Sequence, residues 1–328
     1  MPAAGLFTEG GYAQNHLNER RGCYANNLRG EEDCNVDPRG TPRYTSRFVG
    51  NIYKLLNAES EWNPKVIVGR GVTQLLPERA LHFIKKHYYT YLFTHTPDDG
   101  MEADAAALQF FISPGDVVLD IGANLGFFSR LLARLVGRQG HVYAFEPVPQ
   151  IFDFFCHNLR KLKLHQIEPL HFALSDSDRV DVMVIPTYRW GSECWYDARI
   201  KSSHPKKVNP KWRQIEVHCK TLDSFHLPRI SFIKCDANYH ELAVLRGGTE
   251  LIRKYRPAML IEVNPNPDDP TTTAHETFAV LAAEGYCAYC FREGKMLPRQ
   301  PGQRSQNYFF LTAEHMTSLL RKSSVAAA

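Results

Sequence analysis

The sequence predicts an α/β fold, a mostly parallel sheet with helices on both faces, and three observations predict it. Val117 to Gly126 reads as an apolar strand running into a glycine turn, and Phe127 to Val136 follows as a helix. His141 to Phe145 is a second strand, ending in Glu146-Pro147. Downstream, strand-like and helix-like stretches continue to alternate, as they do where helices connect parallel strands.

The chemistry sits at the ends of those first two strands. Asp120 stands at the carboxyl end of the first, with Gly122 and Gly126 bracketing the turn, and Glu146 follows Gly126 by twenty residues. At that spacing a carboxylate accepts both hydroxyl hydrogens of a ribose. A dinucleotide site would place its first glycine where Asp120 stands. An aspartate there repels a pyrophosphate but accepts from the amino group of S-adenosylmethionine (SAM), a cationic nucleoside without phosphate.

Four motifs occur in order: Asp120-Ile-Gly-Ala-Asn-Leu-Gly-Phe-Phe-Ser129, Ala144-Phe-Glu-Pro147, Thr221-Leu-Asp-Ser224 and Ile233-Lys-x-Asp236. Together they resemble the FkbM-type family of class I SAM-dependent methyltransferases over about Ser113 to Val263. The resemblance implies a Rossmann-like sheet of seven strands and SAM as cofactor, held by Asp120, Gly122, Ala123, Asn124, Gly126, Glu146 and Pro147. It also implies methylation of a hydroxyl on a sugar, glycan or natural product. Where the family continues Asp-Val-Glu-Gly-Ala-Glu, this chain reads Asp236-Ala-Asn-Tyr-His-Glu241, so Asn238, Tyr239 and His240 depart from the pattern.

Taken in order, residues 1–45 read as a flexible arm, rich in Gly, Asn, Arg and Glu. Residues 46–112 read as a mainly helical extension, with a short helix near Phe48 to Leu56, a strand at Val66 to Val68, and a helix from Pro77 through Tyr89. This extension is a lid, a substrate wall or an oligomer contact. Ser113-Pro114-Gly115 is a type II turn opening a methyltransferase domain over 113–322. Pro149 to Lys163 is a helix, and Ile167 to Phe172 a third strand whose end places Ala173 toward the adenine.

Residues 176–221 form a β-hairpin-like insertion. Its strands are Val180 to Ile185 and Ile215 to Cys219, and its long loop carries Lys201, His204, Lys206, Lys207, Lys211 and Arg213 beside Trp190, Trp195 and Trp212. Such a loop suits either stacking on a sugar-like or anionic substrate or a solvated face. Thr273 with Glu276 forms a capping box for a helix over Ala274 to Glu284. Tyr286 to Phe291 and Asn307 to Leu311 complete the sheet as an antiparallel pair, and residues 323–328 are a tail. Cys287 and Cys290 form a lone CxxC inside a strand, where packing is the expected role and no metal is assigned.

Asp236 and His240 are the residues placed to take a proton from an acceptor hydroxyl, with Lys234 orienting the acceptor or pairing with Asp236. A second arrangement uses Asp236, Glu262 and Asn264 as magnesium ligands. The competing functions are a ribose 2′-O-methyltransferase acting on RNA and a SAM-binding interaction protein without catalysis. A net charge of +4 over 328 residues is too mild for a dedicated nucleic-acid binder, so a small molecule or glycan is the expected partner. No apolar run is long enough to span a membrane, and Met1 to Gln14 lacks a signal pattern, from which a cytoplasmic protein with reduced cysteines is expected.

Overall fold

The computed structural model describes residues 77–96, 103–187, 193–203, 209, 211–264 and 266–326. The expected arm, the helix near Phe48, the strand at Val66, and Trp190, His204, Lys206 and Lys207 lie outside these residues.

Strands β1 (Val117–Ile121), β2 (His141–Phe145) and β3 (Ile167–Leu170) pair in parallel on one side, and β8 (Phe232–Cys235) and β9 (Ala258–Glu262) continue in parallel on the other. The order is therefore β3-β2-β1-β8-β9. The chain leaves β1 in opposite directions on its two sides, which makes the β1–β8 boundary the switch point where open α/β sheets bind ligands. β12 (Asn307–Leu311) adds antiparallel to β9, and β10 (Cys287–Arg292) antiparallel to β12. Beyond these seven strands lies an eighth, β11 (Lys295–Pro298), formed because Glu293 and Gly294 turn the chain back on β10 with positive φ.

Alternate strand residues feed the two faces. Val118, Val142 and Phe232 pack with helix α2 (Phe127–Val136), helix α3 (Pro149–Leu162) and the 3-10 turn Ala103–Phe110. Leu119, Ile233 and Met259 pack on the opposite face with α4 (Glu241–Arg246), α5 (Thr249–Tyr255) and α6 (Thr273–Ala283). The period of two along each buried strand thus fills both cores.

A second sheet carries the insertion. β5 (Arg179–Ile185) and β7 (Arg213–Lys220) pair antiparallel, β6 (Arg199–Ile200) borders β5, and β4 (Ala173–Leu174) lies parallel to the end of β7. This sheet packs through Met183, Ile185, Trp195 and Val217 against Tyr88, Tyr89 and Leu92 of helix α1 (Glu78–His95) and Phe154 of α3. Ala173 therefore opens a strand of the second sheet and does not end the third strand. Pairing of β3 stops at Leu170, and Phe172 turns back to the Leu170 carbonyl before the chain changes sheets.

Two further expectations change. The cap of α6 is Thr272, whose hydroxyl accepts from the His275 N–H, because Glu276 is drawn away to Arg246 and does not complete a box with Thr273. The helix from Pro77 runs on to His95. Cys287 is exposed and Cys290 buried, on opposite faces of β10. Helix α7 (Ala313–Ala326) ends the described chain, and no helix among the described residues is long and apolar enough to cross a membrane.

Candidate active site

Register puts the site together. Asp120 pairs across β1 and β8 with Lys234, and Ile121 with Cys235, so Gly122 emerges beside Asp236. On the other side Ile121 pairs with Phe145, so Glu146 emerges there. The turn is consequently flanked by one acid from each neighbouring strand.

Both glycines of the turn are required by the protein's own packing. Gly122 has φ +76, and a Cβ there would sit 1.9 Å from the Asp236 carbonyl oxygen. Gly126 has φ +93, and a Cβ would fall 2.5 Å from the Phe155 ring. What fills the space is the neighbouring strand and helix α3.

Glu146 is buried and already oriented: Oε2 accepts from the Asn124 N–H at 2.9 Å and Oε1 from the Val148 N–H at 2.8 Å. Asn124 reaches this position with φ 51, and its own Oδ1 accepts from the Leu125 N–H. Burial pushes the Glu146 carboxyl up to about 7, with the two backbone donors opposing. Each carboxylate oxygen retains a second lone pair for a ribose hydroxyl. The Pro147 carbonyl is bonded to the His171 Nε2 at 3.1 Å.

Asp120 is fully buried, and Ser129 on the first turn of α2 donates to its Oδ2 at 2.5 Å. Among the described residues its Oδ1 accepts no hydrogen bond, and it lies 3.7 Å from the Lys234 ammonium. Burial raises the Asp120 pKa, opposed by Lys234 and Ser129. Asp120 is thus a sealed carboxylate beneath the glycine turn, with Oδ1 turned to Lys234.

Lys234 is the hub. Its Nζ donates to the Gly122 carbonyl at 3.3 Å, stands 3.5 Å from Asp236 Oδ2 and lies 5.1 Å from the Phe128 ring centroid. Burial opposes its charge, but Asp236, Asp120 and Glu262 outweigh burial and hold its pKa above the ordinary lysine value. Asp236 opens to solvent, with a side chain 34% exposed.

Glu262 accepts from Asn264 Nδ2 at 2.8 Å and from Gln306 Nε2 at 3.2 Å. Burial and then the charge of Asp236 push it up to about 9. Its oxygen is thus engaged by amide donors, and the Asn264 amide turns its nitrogen toward it. Of the three residues of the magnesium arrangement, Glu262 and Asn264 are hydrogen-bonded to each other, and Asp236 stands beside Lys234. Glu241, absent from the sequence-derived site, caps the loop before it, accepting from the Ala237 N–H at 3.0 Å and the Tyr239 N–H at 3.2 Å.

His240 is placed differently from expectation. Its ring is buried between Ser175 Oγ, 2.9 Å from Nε2, and Ser203 Oγ, hydrogen-bonded to Nδ1. Burial, and then Arg179, depress its pKa to about 4. The carboxylates in its surroundings are Asp176 and Asp181 at the insertion, and both ring nitrogens are committed. A histidine so held is neutral at pH 7 and fastens structure together, which argues against the base role expected of it.

The two residues before it do the same. Asn238 Nδ2 donates to the carbonyls of Tyr196 and Ala198, and the Arg199 guanidinium lies 5.6 Å from the Tyr239 ring. Asn238 and Tyr239 have φ of 48 and 73, the left-handed region the family pattern meets with glycine at the second position. All three departures from the pattern therefore contact the insertion. Trp195 is buried, with Lys85 4.5 Å from its ring centroid, so it belongs to the core and offers no stacking platform. Arg213 pairs with Glu193 and Lys201 donates to Gln214, which gives part of the basic loop internal partners.

The methyltransferase FkbM domain matches residues 120–287, just over half of the chain. Among curated relatives, a hexuronic acid methyltransferase (AglP) of Haloferax volcanii is 25% identical over 175 residues, covering 52% of this chain and 64% of its own. A protein-L-isoaspartate O-methyltransferase of Aeropyrum pernix is 48% identical over 48 residues, covering 15% and 18%. The chain thus spans less than two thirds of the length of these relatives. A solved structure of an FkbM methyltransferase from Methylobacillus flagellatus has a TM-score of 0.39 at 13% identity, covering 82% of this chain and 72% of its own. Fibrillarin of Aeropyrum pernix with bound SAM has a TM-score of 0.37 at 15% identity, covering 63% and 72%; likenesses this slight carry no argument about substrate. With the family's domain matched over more than half of its length and the family's motifs on the switch point of its sheet, the chain belongs to the FkbM family of SAM-dependent methyltransferases.

Proposed function

We propose that the protein transfers the methyl group of SAM to a hydroxyl oxygen of a sugar or glycan, with Asp236 as the base. The observation that carries this is the placement of Asp236: at the end of β8, beside Lys234 and against Gly122, it is a solvent-facing acid at the mouth of the cofactor turn. SAM supplies an electrophilic methyl on a sulfonium. Held there, it would give its methyl to the acceptor oxygen and leave as S-adenosylhomocysteine, while Asp236 would take the hydroxyl proton so that a methyl ether forms. Base assistance of this kind is worth about 10² to 10⁴ in rate, and positioning about 7 to 11 kcal/mol of the barrier.

Glu146 holds the cofactor through its ribose, and Asp120, Gly122, Ala123, Asn124, Gly126 and Pro147 shape the turn beneath it. Lys234, 3.5 Å from Asp236 Oδ2, fixes that carboxylate in place. His240 takes no part in the proton transfer. A sugar acceptor is supported by the hexuronic acid methyltransferase among the relatives and by the mild net charge, which does not favour RNA.

The test is turnover with methyl-labelled SAM on a panel of sugars, uronic acids and glycans, in the natural protein and Asp236→Asn. Label should appear in an ether on the acceptor and fall at least 100-fold in the variant while SAM affinity stays within a few-fold. Full activity in Asp236→Asn would remove the base; label transferred only to RNA or to a nitrogen would remove the proposal.

A further inference from the structure

Beyond the carboxyl end of β9 the structure opens into a cavity of about 320 Å³. Its wall comes from the segment leaving β9, with Asn264 and Asn266, and the segment entering β12, with Arg304 and Gln306. Because β12 runs antiparallel to β9, with Asn307 opposite Glu262, both segments lie past the same edge of the sheet as Asp236. Strand β8 separates this cavity from the cofactor residues on β1 and β2, and adjacent strands are about 4.8 Å apart. A ligand there lies across Asp236 from Glu146.

The cavity is also joined to the reacting cluster. Asn264 and Gln306 both donate to Glu262, and Glu262 lies within electrostatic reach of Asp236 and Lys234. Its lining chemistry is specific in kind. Amides present a donor and an acceptor together, which matches neighbouring hydroxyls on a ring. Arg304 brings a planar guanidinium, whose fork matches a carboxylate. Nearby Asp268 pairs with Arg299 and accepts from the Gly302 N–H at 2.9 Å, and the Arg304 charge acts on it more weakly than that of Arg299. The volume is at the lower end of small-molecule sites, enough for one ring of a sugar.

We propose that this cavity is the acceptor's anchoring subsite and takes a single carboxylate-bearing sugar unit, its carboxylate on Arg304 and its hydroxyls on Asn264, Asn266 and Gln306. The inference rests on the methyl-transfer reading above and adds where the acceptor is held and what charge it carries. Arg304 is an anchoring residue here, remote from the proton transfer.

The experiment titrates methyl β-D-glucuronide and methyl β-D-glucoside into the full chain saturated with S-adenosylhomocysteine, followed by ligand-observed NMR. The glucuronide should bind at least tenfold more tightly than the glucoside, and Arg304→Gln should erase that difference while S-adenosylhomocysteine affinity is unchanged. Arg304→Lys should restore part of it, because it keeps charge without the fork. Equal binding of both glycosides, an unaffected Arg304→Gln, or no glucuronide binding to a protein that binds S-adenosylhomocysteine would overturn the subsite and leave methyl transfer standing. Failure to bind S-adenosylhomocysteine would instead overturn the methyl-transfer reading and the subsite with it.

Discussion

Asn238 donates to the carbonyl oxygen of Ala198 at 3.0 Å, and so ties the loop after β8 to the insertion that borders it. The same amide reaches the Tyr196 carbonyl at 2.9 Å. Asn238→Ala should cost about 1 to 3 kcal/mol of stability, the net value of two hydrogen bonds. The local effect is sharper: amide hydrogen exchange across Trp195 to Ile200 should quicken at least tenfold, with SAM affinity unchanged. Unaltered exchange there would show that the insertion is held by its own core.

Glu146 gives the second expectation. If Glu146 holds the ribose as proposed, replacing it by alanine removes two charge-assisted hydrogen bonds, each worth about 1.5 to 3 kcal/mol, so calorimetry should show SAM affinity falling at least tenfold. With its carboxyl pushed up to about 7, the natural protein should bind SAM more tightly as pH rises from 6 to 8, since the ionised form is the better acceptor. Glu146→Gln should lose that pH dependence.

His240 should matter to stability rather than to turnover. His240→Ala empties a buried site and strands two serine hydroxyls, a loss of about 2 to 4 kcal/mol measurable by urea unfolding. Its folded pKa of about 4 lies below the unfolded value near 6.5, so its contribution is complete above pH 6.5 and is lost as pH falls toward 4. The pH profile of turnover should keep its shape in the variant. A missing acidic limb in that profile would return the histidine to the proton transfer.

Glu262 works in the opposite sense. Its carboxyl is pushed up to about 9 from an ordinary 4.5, so between those values the folded protein holds a proton that the unfolded chain has released. Stability from this group therefore falls as pH rises through that window. Thermal unfolding of Glu262→Gln should show a smaller drop in Tm from pH 5 to pH 9 than the natural protein. Parallel curves would mean that Glu262 is ionised in the folded state.

Short-range pattern determined a good deal of this protein. The strand, turn and helix at Val117 to Val136, and the placing of Asp120, Glu146 and Asp236 at strand ends, follow from apolar spacing and glycine within a few residues of each other. Even the left-handed loop at Asn238 and Tyr239 was marked, as a departure from a motif. Tertiary structure decided the partners. Lys234 meets Gly122 across 112 residues of chain, His240 meets Ser175 across 65, and Asn264 and Gln306 meet at Glu262 from different strands. Ala173 left the first sheet because β7 offered it a parallel edge, a pairing made by a segment more than forty residues on. Periodicity reports which way a side chain faces its own strand or helix; which distant segment fills the other side is settled only by register and packing, and there the histidine became a fastener and the lysine the hub of the site.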